Sequence, residues 1–149
     1  VNHYHAQQCS HRPCELGELA ADAIVDEYRN RTGDTSCIFG LAPAGSIRTT
    51  IFKGNVTRLD VFRTFPATDT LVKVVWTPAT LKAYLAKYGH LYKASNPGIG
   101  YMHPSETLQI TYNRDASSEH DVVEALRKCG RVCNPQMTDD SCSELLPDE

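Results

Sequence analysis

The chain has 149 residues, 41% of them hydrophobic and 22% charged, and a formal net charge of −3. That size suits one domain, 1–149, with a real core, and the composition is that of a soluble globular protein. No apolar run is long enough to span a bilayer, and the charge excludes a strongly basic nucleic-acid surface.

Residues 1–8 are polar, rich in His and Gln, and read as a loose N-terminus. From Glu15 to about Asn30, Leu16, Leu19, Ala20, Ala23, Ile24 and Glu27/Tyr28 follow the 3.6 period of an amphipathic helix. Glu15 and Glu18 suit the positive end of its dipole, and Gly33 supplies the stop. Ser36 to Ala42 reads as a buried strand, Pro43 to Ser46 as a turn, and Arg48 to Phe52 as the next strand. Thr57-x-x-Asp60 resembles a capping box and opens a short helical turn. Thr70 to Trp76 is rich in β-branched residues and predicts a central strand. Thr77-Pro78 marks a helix start, with Leu81, Tyr84, Leu85 and Tyr88 as its buried stripe and Gly89 as its end.

Lys93 to Gly100 reads as a loop around Asn-Pro-Gly. Thr107 to Asn113 alternates Leu108, Ile110 and Tyr112, a strand with one buried face. Ser118-x-x-Asp121 predicts the cap of a last helix carrying Val122, Val123, Leu126 and Cys129, stopped by Gly130. Residues 134–149 hold Asp139, Asp140, Glu144, Asp148 and Glu149 without Lys or Arg, a charge of −5 that leaves +2 for the remainder. This acidic stretch reads as a solvated tail fastened by Cys142 rather than by packing. The order of elements predicts an α+β fold, helices packed on a mixed β-sheet.

Six cysteines stand at 9, 14, 37, 129, 133 and 142, with no Cys-x2-Cys pair, which argues against a zinc ribbon or a thioredoxin-type centre. The even count and wide dispersal fit disulfides and an oxidising compartment. Two glycosylation sequons, Asn30-Arg-Thr and Asn55-Val-Thr, agree with secretion. The chain begins at Val1, so removal of a signal peptide is expected. Cys9 and Cys14 have four residues between them, enough for a turn that brings their Cα atoms to bridging distance. His3-x-His5 and His11 beside these cysteines suggest a metal site. Oxidised sulfurs make poor ligands, however, so a polar terminus with no metal or cofactor is the expectation.

No nucleophile stands beside a base: Ser46 follows Gly45 but lacks the Gly-x-Ser-x-Gly frame. Five segments do form an ordered set. Cys9-Ser-His-Arg-Pro-Cys14 leads into Leu16-Gly-Glu-Leu. Pro-Ala-Gly-Ser-Ile-Arg follows at 43–48, Gly-Asn-Val-Thr-Arg-Leu-Asp-Val-Phe at 54–62, and Phe-Pro-Ala-Thr-Asp-Thr-Leu-Val at 65–72. In this order, over roughly residues 9 to 115, the chain resembles the C-terminal, nucleotide-binding domain of the secreted 5'-nucleotidases.

The resemblance implies that domain's fold and, at matching spacing, the Cys9–Cys14 disulfide. It also implies a second bridge from the first helix, but the helix side of that bridge maps to Ala21. Cys37 is therefore left to Cys129, Cys133 or Cys142, or to remain a buried thiol. The best expectation is Cys37–Cys129 with Cys133–Cys142. Relatives hydrolyse phosphate with two metals held in a separate N-terminal domain. These 149 residues hold no Asp-x-His or Gly-Asn-His-Glu run, so no enzymatic activity is expected.

Most of the ligand contacts that the resemblance implies are replaced. The Arg after the first cysteine is Ser10, and two Asn positions are Glu15 and Glu18. In the glycine loop the Asn is Pro43 and two glycines are Ala44 and Ser46, while Gly45, Ile47 and Arg48 persist. Ala67 stands where the first stacking Phe would be, and the second has no counterpart. Each lost base–aromatic stack is worth about 1–3 kcal/mol, so losing two and a charged contact weakens binding by orders of magnitude. The expectation is a secreted, glycosylated pseudoenzyme that binds a protein partner, by fold analogy of the host-interaction or effector type. The alternatives are an extracellular nucleoside or nucleotide binder using Arg48 and Gly45, and an accessory subunit of a nucleotidase.

Overall fold

The computed structural model describes residues 9, 12–93, 101–113, 123–130, 132, 133, 135 and 141–145. The first helix, α1 (Glu15–Thr32), runs where its sequence pattern predicts. Cys14 is its N-cap, in extended conformation, and Sγ of Cys14 accepts from the Gly17 N–H at 3.2 Å. Glu15 and Glu18 lie in the first turn and Arg29 and Arg31 in the last, both favourable to the helix dipole. Gly33 closes the helix at φ 69°, a left-handed cap that glycine adopts without Cβ strain.

The buried face of α1 is Leu16, Gly17, Ala21 and Val25, not the stripe through Leu19 and Ala23, which are exposed. Close approach explains this. A Cβ on Gly40 would stand 2.3 Å from the Ala21 carbonyl oxygen, and one on Gly17 2.1 Å from the His103 ring. The helix thus packs Gly17 and Ala21 together with Leu16 and Val25, and a hydrophobic pattern passes over the glycine.

Strand β1 (Leu41–Pro43) pairs antiparallel with β2 (Met102–Pro104), and α1 packs on both. Ala44–Ser46 forms a 3-10 turn at the expected place. The strand expected from Ser36 is therefore only its last portion, and that expected over Arg48–Phe52 is reduced to a single bridge at Ile51. Helix α2 (Arg58–Thr64) opens on the expected capping box: Thr57 Oγ1 accepts from the Asp60 N–H, and Asp60 accepts from the Thr57 N–H at 2.9 Å.

Thr70 to Trp76 forms no strand. It is an extended run, exposed at every residue, that joins α2 to the next helix. Its β-branched composition favours an extended backbone, but no described strand lies beside it to complete a ladder.

Helix α3 (Pro78–Lys93) begins as expected, with the Thr80 N–H donating to Thr77 Oγ1 at 3.2 Å. It continues through Gly89 rather than ending there. Leu81, Leu85 and Ala86 join Met102, Leu108, Val123 and Leu126 in the main core, with Tyr84 and Tyr88 half-buried against it. A smaller cluster holds Cys9, Leu16 and Ile47, flanked by Cys14, Ile51 and Phe65.

The second sheet is β3 (Leu108–Tyr112), β4 (Val123–Cys129) and β5 (Cys142–Glu144), antiparallel in that order. The class is α+β with disulfides, as expected, but the described strands form two antiparallel sheets rather than a mixed one. The predicted last helix is β4; Ser118, Asp121 and Val122 lie outside the described residues, as do 94–100 and His3, His5 and His11. The misleading spacing of Val123, Leu126 and Cys129 has a local cause. Thr111 pairs with Ala125 and Tyr112 with Val123, leaving Glu124 as an extra residue. That bulge turns Val123 to the face of Leu126, and Cys129 is buried by its own disulfide.

Cys9 is joined to Cys14, Cys37 to Cys133 and Cys129 to Cys142. The expected Cys37–Cys129 and Cys133–Cys142 bridges are not formed, because Cys129 and Cys142 face each other in the β4–β5 register. Within the acidic stretch, Cys142–Glu144 is held by that bridge and by the β4–β5 ladder, and Leu145 packs on the main core, so packing fastens it as well as Cys142.

Candidate functional site

The loop after β1 carries Gly45 and Arg48, the two residues that the resemblance implies for ligand binding. Pro43 ends the strand and directs the chain into the 3-10 turn, where Ser46 Oγ donates to the Pro43 carbonyl at 2.7 Å. The Ala44 N–H donates to the Tyr101 carbonyl at 2.8 Å, and Ile47 is buried in the smaller core. Gly45 and Arg48 are exposed; the Arg48 N–H donates to the Thr64 carbonyl at 2.8 Å, tying the loop to the end of α2. Ala67 is exposed and offers only a methyl group.

Below the loop, His103 of β2 is fully buried and central. Its Nε2 lies 3.0 Å from the Cys9 carbonyl oxygen; a carbonyl only accepts, so Nε2 carries the proton. Nδ1 is buried without a hydrogen-bond partner among the described residues. Tyr101 meets the imidazole edge-on at 4.8 Å, and Gly17 lies against the ring's other atoms. Burial, then the Glu18 charge, pushes the Tyr101 hydroxyl up to about 12. Glu18 is itself raised, by burial and by the neighbouring charges of Asp22 and Glu15.

Cys9, Cys14 and His103 bring their ligand-type atoms within 4.8 Å of one another. The two sulfurs are bonded to each other, however, and only a thiolate is a strong metal ligand. Sequence reasoning passed over His103 and Tyr101. The available signal was Gly17 inside a helical pattern, where glycine costs about 1 kcal/mol and points to close packing.

Burial lowers the pKa of His103 from its ordinary 6.5, against a smaller upward pull from the Cys9 carbonyl. A depressed folded pKa means that the unfolded chain binds more protons. The stability this gives is present above 6.5 and is lost as pH falls through the folded value. Melting temperature is therefore expected to drop on acidification below pH 6.5, with a shallower drop in His103→Gln. Thermal scans of both proteins across that range check it; equal slopes would contradict the assignment.

A cleft of about 210 Å³ lies where α1 meets the β2–β3 turn, lined by Asp22, Asp26, Arg29 and Glu106 among others. It is smaller than small-molecule sites, which run about 300–1,000 Å³. Three carboxylates around one guanidinium disfavour phosphate there. The Ser105 and Thr107 hydroxyls beside the cleft are engaged elsewhere. Ser105 Oγ accepts from the Gly40 N–H and bonds to Thr107 Oγ1, which donates to the Ile38 carbonyl. That relay satisfies buried backbone groups.

The two sequon residues are exposed, Asn30 in the last turn of α1 and Asn55 ahead of α2. A family model described as "5'-nucleotidase, C-terminal domain" matches residues 2–138. No curated protein matches the chain.

Proposed function

Since the chain belongs to the family of 5'-nucleotidase C-terminal domains, we propose that it acts by binding a partner protein and carries out no chemistry of its own. The observation that supports this reading most is the 43–48 loop. It holds Pro43 and Ala44 where relatives carry amide and glycine, and Ala67 supplies no ring. In this reading the chain is a single domain, secreted and glycosylated at Asn30 and Asn55. Three disulfides and the lack of any described helix long and apolar enough to cross a membrane fit that setting. A host-interaction or effector-type role is the finer form of the proposal.

The purified chain is expected to release no phosphate from AMP, ATP or a UDP-sugar, with or without Mg²⁺, Mn²⁺ or Zn²⁺. A colorimetric phosphate assay checks this, and metal-dependent turnover by homogeneous protein would overturn it. A second reading, nucleoside binding without turnover, is favoured by one observation: Gly45 and Arg48 are both exposed on the loop.

A further inference from the structure

Twelve large hydrophobic side chains are exposed among the described residues, and ten of them fall between Phe52 and Trp76. Isolated exposed hydrophobics need no explanation, whereas such a concentration in one stretch marks an interaction surface. Its most exposed part is the extended run before α3, with Val72 at 79% and Val75 at 90% exposure.

This run is held in place, and no described strand pairs with it. Before it, Phe65 packs on the smaller core. In its middle, Lys73 Nζ bonds Asp34 Oδ2 at 2.8 Å and lies 5.1 Å from the centre of the Tyr28 ring. At its end, the Trp76 ring stacks at a tilt on Tyr84, 4.8 Å between centroids. Between these anchors residues 66–76 form no backbone hydrogen bond with any described residue. No proline interrupts the chain between Pro66 and Pro78. The result is an extended segment with its backbone donors and acceptors available and little left to order on binding, the condition for accepting an added strand.

Charge indicates what that strand carries. Residues 48–76 hold Arg48, Lys53, Arg58, Arg63 and Lys73 against Asp60 and Asp69, a net +3, or +2 with Lys73 set against its partner Asp34. A second copy paired through this same run would bring the positive stretch against itself. An acidic partner would be drawn to it. We propose that residues 70–76 are a docking edge for an extended, acidic segment of a partner protein, which pairs with this run as a β-strand. This rests on the partner-binding reading above and names the surface and the partner's chemistry.

The test uses the folded, disulfide-bonded chain and two short synthetic peptides. Both have valine at alternate positions; one carries Glu and the other Lys between them. The Glu peptide is expected to bind about tenfold or more tightly than the Lys peptide, with affinity falling as salt rises. Binding is expected to protect the amides of 70–76 from hydrogen exchange. Val72→Pro, which removes a ladder N–H, and Val75→Asp, which adds repulsion on an exposed site, are each expected to lose about tenfold or more without lowering the melting temperature.

Equal binding of the two peptides overturns the proposal, as does undiminished binding by both variants. Protection of 70–76 with concentration-dependent dimerisation and no peptide would make a second copy the occupant. Binding seen only after removal of a glycan from Asn55 would make the sugar the occupant. A protein captured from extracellular fluid equally by wild type and both variants would sink this surface while leaving the partner-binding reading intact.

Discussion

Replacing Cys37 and Cys133 together with Ala is expected to cost about 4–5 kcal/mol of folding stability, the largest effect of any bridge in the chain. The two residues lie 96 apart in sequence, against 13 for Cys129–Cys142 and 5 for Cys9–Cys14. In the chain-entropy description, a closed loop of that length restricts the unfolded ensemble by about 4–5 kcal/mol, compared with about 3 and about 2 for the shorter ones. Cys37 is exposed, so little packing is lost with it. The bridge ties the segment after α1 to the end of β4, and so the two sheets to each other. Urea titration reads the change, and non-reducing peptide mapping checks the pairing. A loss below about 1 kcal/mol would show that the bridge constrains little.

Gly17→Ala is expected to destabilise the chain although it adds only one methyl group. Its Cβ would stand 2.1, 2.3 and 2.4 Å from three atoms of the His103 ring. That ring is fully buried, held by the Cys9 carbonyl on one side and by Tyr101 on another. It has nowhere to swing, so the first turn of α1 must move away, carrying Cys14 and its disulfide. Alanine gains about 1 kcal/mol of helix propensity over glycine, and overpacking costs about 1–3 kcal/mol or more. With a rigid ring and a covalently tethered helix end the cost sits at the top of that range, so the net loss is expected at about 2 kcal/mol. Denaturant midpoints of the two proteins measure it; an unchanged or raised midpoint would refute the close packing of α1 on β2.

These two sites also mark what a one-dimensional pattern conveys. The extent of α1, its glycine stop, the Thr57–Asp60 capping box and the Thr77-Pro78 start were all legible, because each is set by residues within one turn. The buried face of α1 was not, since its Gly17 and Ala21 are chosen by how near β2 and Gly40 come. Val123 to Cys129 misled for a related reason: a single bulge at Glu124 converts alternation into a threefold spacing that resembles a helix. The run over 70–76 has strand composition without a described strand beside it, and pairing is a property of two segments. The family was readable from the five ordered segments. The burial of His103 beneath them was not.

The measurement that bears most directly on the account is a calorimetric titration of the chain with adenosine and with AMP. No heat beyond dilution is expected up to millimolar ligand for wild type and for Arg48→Ala, a change at an exposed residue that leaves stability within about 0.5 kcal/mol. Micromolar binding of AMP by wild type, abolished in Arg48→Ala, would contradict it and make the 43–48 loop a working nucleotide site.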